Sequence, residues 1–175
     1  MAEMKEIEIR VKVSNAEKKG VENRLKALNA KLIESTIETS HYIDLPGEKI
    51  MKKGGVLRVK ILEGHALLTF KGKQESKNFN VREEIQTPVS EPKMLLRILK
   101  AAGLIETFKY SKERNKYELK GVHEVNLDKL PKHGWFVEVE ANSISQVKEM
   151  LKILGLGKKK LITNSYAKII RTGRY

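Results

Sequence analysis

The stretch Glu6–Val13 alternates without a break: Ile7, Ile9, Val11 and Val13 lie on one side of an extended chain, and Glu6, Glu8, Arg10 and Lys12 on the other. A period of two specifies a β-strand with one apolar face. It also sets the register, because a slip of one residue would turn every aliphatic side chain outward. The pattern returns further along the chain. Leu57, Val59 and Ile61 oppose Arg58 and Lys60; Leu68 and Phe70 oppose Leu67, Thr69 and Lys71; Val81 and Ile85 oppose Arg82, Glu84 and Gln86. A chain that repeats this face so often folds into an antiparallel sheet rather than a helical bundle.

The remaining elements follow from local signals. Ser14-Asn15-Ala16-Glu17 is a capping box, and Val21, Leu25 and Leu28 give the helix behind it, over 15–30, an apolar stripe. The β-branched run Leu32–Asp44 predicts a long strand, closed by Leu45-Pro46-Gly47. A loop bearing Lys49, Lys52 and Lys53 ends at Gly54-Gly55, and the strands Val56–Leu62 and Ala66–Lys71 form a hairpin turning at Glu63-Gly64-His65. A polar loop, Gly72–Asn78, leads to a strand over Phe79–Thr87. Pro88 and Ser90 introduce a second helix, with Met94, Leu95, Ile98, Leu99 and Ala102 expected inward and Gly103 just beyond. Three further strands are expected at Leu104–Arg114, Tyr117–Leu127 and Trp135–Ala141. A second capping box at Ser143 starts a helix with Val147, Leu151 and Leu154 inward, and a basic loop (Lys158 to Lys160) precedes a last helix over Ser165–Arg171. No Pro/Gly/Ser-rich linker interrupts the chain, so residues 1–175 read as one α+β domain: an eight-stranded antiparallel β-barrel or tunnel with about four helices packed outside.

Charge decides what the polar faces are for. The chain has 35 Lys and Arg against 22 Asp and Glu, a net charge of +13, which calls for an anionic partner. There are no cysteines, which excludes disulfides, thiolate metal sites and a Cys nucleophile. With four histidines, a metal would rest mainly on carboxylates and would be a hard ion, Mg²⁺ or Mn²⁺. No apolar run reaches the roughly 18 residues of a membrane span, and the N-terminus lacks the apolar core of a signal peptide, so a cytoplasmic protein with no membrane partner is expected.

A charged strand face is either a solvated surface or the lining of a cavity. Glu6 and Glu8 near one end, with Glu138 and Glu140 near the other, form two Glu-x-Glu pairs. Residues two apart on a strand point the same way about 6–7 Å apart, so facing pairs could cage a divalent cation. Arg10, Lys12, Arg58, Lys60, Lys71, Arg82, Lys112 and Arg114 are strand-borne bases. A triphosphate, with about four negative charges, needs several such cations plus a metal to leave bulk water.

In this ordered set the chain resembles the CYTH superfamily, the triphosphate tunnel metalloenzymes, and within it the class IV adenylate cyclase-like branch. Glu6-Ile7-Glu8-Ile9-Arg10 is similar to the family's Glu-x-Glu-x-Lys strand, with Arg where the family has Lys and Lys12 two residues on along the same face. Tyr42-Ile43-Asp44, Leu57-Arg58-Val59-Lys60, Thr69-Phe70-Lys71-Gly72, Arg82-Glu83-Glu84, Lys112-Glu113-Arg114, Leu127-Asp128, the run Gly134–Glu140 and Ser165-Tyr166 resemble its later motifs in order. The resemblance implies a metal-dependent enzyme acting on a triphosphate. Glu6, Glu8, Glu138, Glu140 and Asp128 would hold Mg²⁺ or Mn²⁺, the eight bases would hold phosphates, and Lys71 with Tyr42 are the candidates for catalysis. The reaction implied is cyclisation of ATP to cyclic AMP and pyrophosphate, or alternatively hydrolysis of thiamine triphosphate, tripolyphosphate or a nucleoside triphosphate. The branch also implies a homodimer. A non-catalytic protein binding polyphosphate or RNA is the remaining alternative. Aromatic content of 6% and the acids sharing faces with the bases argue against nucleic acid as the partner.

Overall fold

In the computed structural model, residues 5–73 and 80–175 are described, the side chains of residues 5, 6, 80 and 81 excepted. The expected loop at Gly72–Asn78 and the strand start at Phe79 therefore fall largely outside the described residues, as do the side chains of Glu6 and Val81. The described elements, in order, are β1 (Lys5–Val13), α1 (Asn15–Ala27), β2 (Lys31–Asp44), α2 (Lys49–Lys52), β3 (Val56–Leu62), β4 (His65–Lys71), β5 (Asn80–Val89), α3 (Pro92–Ala101), β6 (Ile105–Glu118), β7 (Glu124–Leu130), β8 (Gly134–Ala141), α4 (Ile144–Ile153) and α5 (Tyr166–Thr172). They group into two compact units. One holds β2 from Ile37 onward, α2, β3, β4, β5 from Arg82, α3 and β6 as far as Ser111; the other holds β1, α1, the start of β2, β6 from Lys112, β7, β8, α4 and α5.

The first unit is an antiparallel meander. Tyr42 stands opposite Arg58, Arg58 opposite Thr69, and Thr69 opposite Gln86, so one residue from each of four strands lies in a row on a single face. On the other face α3 turns Pro92, Leu95, Leu96 and Leu99 toward partial burial, while Met94 and Ile98 stay about half exposed. Met94 and Ile98 were expected inward. The buried stripe lies at Pro92, Leu95, Leu96 and Leu99, which follow the i, i+3, i+4, i+7 spacing of one helix face.

The second unit carries the described apolar core. Ile9, Val11 and Val13 of β1, Val125 and Leu127 of β7 and Val137 and Val139 of β8 pack with Val21 and Leu25 of α1 and Val147, Met150 and Leu151 of α4. β1 runs antiparallel to β8, with Arg10 opposite Glu138 and Glu8 opposite Glu140. β8 in turn pairs with β7 and β7 with β6.

The strand boundaries differ most from the expectation at β6 and β7, and β5 runs through Pro88 to Val89 where Pro88 was expected to introduce the helix. Tyr117 continues β6 to Glu118, and the reversal falls later, around Gly121, whose φ of +99° lies in a region that glycine enters without a Cβ penalty. β7 therefore begins at Glu124 and includes Asp128, which was expected just beyond it. The lysine-bearing loop contains a single helical turn, α2, held by Asp44: one of its carboxylate oxygens accepts from the Leu45 and Ile50 amides at 2.7 and 2.8 Å, the other from Met51 at 3.0 Å.

The capping box at Ser14 is formed in both directions, the Glu17 amide donating to Ser14 Oγ at 3.2 Å and the Ser14 amide to Glu17 Oε2 at 2.8 Å. Lys159 and these Ser14 contacts lower the Glu17 carboxyl to about 2. Ser14→Ala is expected to cost about 1 kcal/mol of unfolding free energy in urea titrations. The folded value lies below the unfolded one, so the Glu17 contribution is complete above the ordinary carboxylate range and is lost as pH falls toward 2; Glu17→Gln should flatten that part of the stability–pH curve.

Candidate functional site

The polar face of β1 is not a wet surface. Glu8 is 8% and Arg10 5% exposed, and they are joined on neighbouring strands by Glu138 at 3%, Lys112 at 4%, and Asn126 and Asp128 at 0%. Charges taken out of water must find opposite charges and hydrogen bonds or the fold is lost. In the second unit they do so as a chain. Arg10 donates from Nη2 to Glu8 Oε1 at 2.6 Å, and its Nε lies 2.6 Å from Glu138 Oε2. Arg114 donates through Nε and Nη2 to the two oxygens of Asp128 at 2.7 and 2.6 Å, and its Nη2 also reaches Glu138 Oε1 at 2.8 Å. Lys112 adds a bond to Asp128 at 3.2 Å, and Asn126 donates to Glu138 at 3.3 Å. Burial works against the Arg10 charge, but Glu138 and Glu8 outweigh it and keep the guanidinium firmly protonated.

Tyr166 closes this cluster. Ile162 exchanges two backbone hydrogen bonds with Arg10, at 2.8 and 3.4 Å, which brings the start of α5 over β1. The Tyr166 ring then lies 4.5 Å from the Arg10 guanidinium carbon and 4.9 Å from Lys112 Nζ, with Phe136 edge-on at 5.5 Å. Its hydroxyl is buried and has no hydrogen-bond partner among the described residues. Burial, followed by Asp128 and Glu138, pushes the phenol well above its ordinary range.

The polar face of the first unit differs in balance. Arg58, Lys60, Lys71 and Arg82 share it with the carboxylates Glu38, Asp44 and Glu84. Lys71 is held by Glu84 at 2.7 Å. Burial opposes the Arg58 charge, while Tyr42, Glu38, Tyr110 and Glu84 more than offset it and raise its pKa. Even so, Arg58 Nε has no hydrogen-bond partner among the described residues, and neither does Thr69 Oγ1, beside it in the register and fully buried. Buried polar atoms left without partners are rare in folded chains and point to an absent acceptor. Tyr42 stacks on Tyr110 with ring centroids 6.0 Å apart, and Phe108 lies 5.9 Å from Tyr42 and 5.8 Å from Tyr110.

The expected site residues thus fall into two groups. Glu8, Arg10, Lys112, Arg114, Asp128 and Glu138 come together in the second unit; Tyr42, Arg58, Lys60, Lys71 and Arg82 share a face in the first. Glu140 is half-buried, in register with both Glu8 and Glu124. Lys12 stands apart. It is exposed, with Nζ 2.8 Å from the Tyr175 hydroxyl and 4.1 Å from that ring, which leaves Arg10 as the β1 base among the carboxylates. The Glu6 side chain lies outside the described residues.

For a metal, the donor chemistry is that of hard carboxylate oxygens, suited to Mg²⁺ or Mn²⁺. Glu8, Glu140 and Glu124 lie in one cross-strand row, where Arg10 pairs with Glu8 and Lys116 with Glu124. Among the described residues no three His, Cys, Asp or Glu side chains form a group that could hold an ion by themselves. Glu8, Asp128 and Glu138 instead give oxygens to the arginines and Lys112. Glu38, Asn126 and Thr69 were not among the expected site residues. For each the signal was present in the alternation, Glu38 with Ser40 and Tyr42, Asn126 with Asp128, and Thr69 with Lys71.

The CYTH domain model matches residues 4–166. A protein of Methanocaldococcus jannaschii described as a candidate adenylate cyclase is 28% identical over 176 residues, covering 95% of this chain and 98% of the relative. The structure of a candidate adenylate cyclase from Vibrio parahaemolyticus superposes with a TM-score of 0.86 at 17% identity, over 98% of this chain and all of the other. A Hippeastrum protein described as a candidate adenylyl cyclase with a dominant triphosphatase activity gives 0.75 at 14% identity, over 98% and 97% of the two chains. The likeness shows the fold: eight antiparallel strands with helices packed outside, the class that the alternating strands predict.

Asp128→Ala should cost about 3–5 kcal/mol in denaturant titrations, because it leaves Arg114 and Lys112 buried without their main acceptor. Lys12→Ala, which loses only an exposed contact with Tyr175, should cost about 1 kcal/mol or less. The raised Tyr166 phenol makes the fold less stable as pH climbs past about 10, where unfolded tyrosine ionises and the folded one does not. Tyr166→Phe should therefore leave the tyrosinate absorbance gained between about pH 9 and 11 unchanged.

Proposed function

The chain belongs to the CYTH domain family, and on that premise we propose that it is a divalent-metal-dependent enzyme acting on a triphosphate, with conversion of ATP to cyclic AMP and pyrophosphate as its reaction. The observation that carries this reading is the first unit's charged face. There, among the described residues, Arg58, Lys60, Lys71 and Arg82 outnumber the carboxylates Glu38, Asp44 and Glu84, and the buried Arg58 Nε lacks an acceptor. That surplus matches a ligand with several negative charges, and the relatives described as cyclases supply the reaction class.

In this reading Arg58, Lys60, Lys71 and Arg82 bind phosphate oxygens and fix the chain in line, which converts a bimolecular displacement into an oriented one. Lys71, held by Glu84, acts as a clamp on the departing phosphates, and fixed guanidinium groups stabilise the charge that builds there without having to reorganise. Arg10 and Arg114 hold Glu8, Glu138 and Asp128 in place. Mg²⁺ or Mn²⁺ would rest on Glu8, Glu138 and Glu140, with Glu6 and Asp128 as further donors, and when bound supplies Lewis-acid neutralisation of phosphate charge. The ribose 3′-hydroxyl attacks the α-phosphorus and gives its proton to solvent water, while the bond from the α-phosphorus to the bridging oxygen breaks and pyrophosphate departs. A second reading, hydrolysis at the terminal phosphorus, draws support from the triphosphatase activity in the description of the Hippeastrum neighbour.

The test is a panel of ATP, thiamine triphosphate and tripolyphosphate with Mg²⁺ or Mn²⁺, scoring cyclic AMP and phosphate separately. Cyclic AMP with pyrophosphate is expected; phosphate without cyclic AMP would establish the hydrolase reading, and no turnover would overturn both. Arg58→Ala should lower kcat/KM by about 100-fold or more, in the range of losing one charge-stabilising donor. Glu138→Gln should weaken Mn²⁺ binding in a paramagnetic-resonance titration of protein without substrate.

A further inference from the structure

An aromatic cluster borders the first unit's charged face. Of the ten aromatic residues in the chain, three, Tyr42, Phe108 and Tyr110, form one cluster with ring centroids 5.8–6.0 Å apart. Tyr42 lies directly across the register from Arg58, so the cluster borders the cationic face and not the apolar one. Tyr110 is buried, whereas Tyr42 and Phe108 keep part of their surface accessible. Two of the buried atoms without a hydrogen-bond partner among the described residues, Arg58 Nε and Thr69 Oγ1, belong to the same cross-strand row as Tyr42.

Ring faces beside cations can cover those cations, as Tyr166 does over Arg10 and Lys112. They also suit a flat organic group, because base–aromatic stacking works for any π-face. Arg58 and Thr69, one row away, supply the donors that the first phosphate of such a ligand would accept from. Resting on the reading of the chain as a triphosphate enzyme, we infer that Tyr42, Phe108 and Tyr110 form a stacking platform for an aromatic ring attached to the triphosphate, with Arg58 and Thr69 binding the phosphate nearest that ring, so that the protein selects nucleoside or other aryl-bearing triphosphates over inorganic tripolyphosphate. Tyr110 supports the platform from beneath. Its phenol is held neutral by burial first, then by Tyr42 and Glu38, so a ligand phosphate meets no added negative charge there.

The experiment measures calorimetric affinities of the full-length protein for ATP and for tripolyphosphate, each with Mg²⁺, in the wild type, Phe108→Ala and Phe108→Leu. The Leu variant keeps apolar bulk without a π-face and serves if the Ala variant does not fold, as judged by its thermal midpoint. Wild type should prefer ATP, and both variants should reduce the ratio of ATP to tripolyphosphate affinity by about 10-fold or more, the range expected for one stacked base. A ratio that stays constant, whether both affinities fall together or neither moves, overturns the platform. Wild type that binds tripolyphosphate but not ATP overturns the platform while leaving the triphosphate reading in place. Binding of neither ligand removes that reading, and the platform with it.

Discussion

The structure depends on one constraint: charges removed from water must be neutralised within reach. In the second unit the solution is internal. Glu8, Arg10, Glu138, Arg114 and Asp128 form an alternating string of acid and base, each group touching the next at 2.6–2.8 Å. The Tyr166 ring spreads over the cations at one side. In the first unit the cations outnumber the acids, and polar atoms at Arg58 and Thr69 are left over. The second unit also keeps such atoms, at Arg10 Nη1, Asn126 Oδ1 and the Tyr166 hydroxyl, so the two units differ in charge balance and not in whether every polar atom is met among the described residues. The proposed phosphate contacts lie on β3, β4 and β5, and the proposed metal donors on β1, β7 and β8.

Most of the fold was legible in the period-two alternation, because burying one face of each strand makes any other register costly. The hairpin β3–β4 falls within a residue of where its turn residues put it. Less legible was whatever depends on partners far apart in the chain. No spacing rule separates Arg10 from Lys12; the difference emerges only when Arg10 lies opposite Glu138 and Lys12 opposite Phe136. The β6–β7 boundary was misplaced because Tyr117 continues the alternation and the reversal is set by the backbone at Gly121. Asp44 accepts from three backbone amides, at Leu45, Ile50 and Met51, a use that the alternation of its strand does not signal. The aromatic cluster has no sequence signature at all, since Phe108 and Tyr110 are separated from Tyr42 by more than sixty residues.

The substitution of Arg for Lys in the first acidic motif gains a physical meaning from these contacts. An ammonium is a single point of charge, whereas a guanidinium is a planar fork whose nitrogens can serve two acceptors at once. Arg10 uses that fork to join Glu8, on its own strand, to Glu138 on the neighbouring one. The residue that departs from the family pattern thereby ties together carboxylates from two strands.

The pairing of Arg10 with Ile162 has a consequence in time as well as space. β1 precedes the other described strands, yet both its β8 partner and the segment that brings Tyr166 over it lie far along the sequence. Closing so long a loop is entropically expensive before any contact repays it, and topologies dominated by distant pairings fold slowly. Arg114, Asp128 and Glu138 lie within one run of adjacent strands and are close in sequence, whereas Glu8 and Arg10 reach Glu138 only through the long-range pairing of β1 with β8.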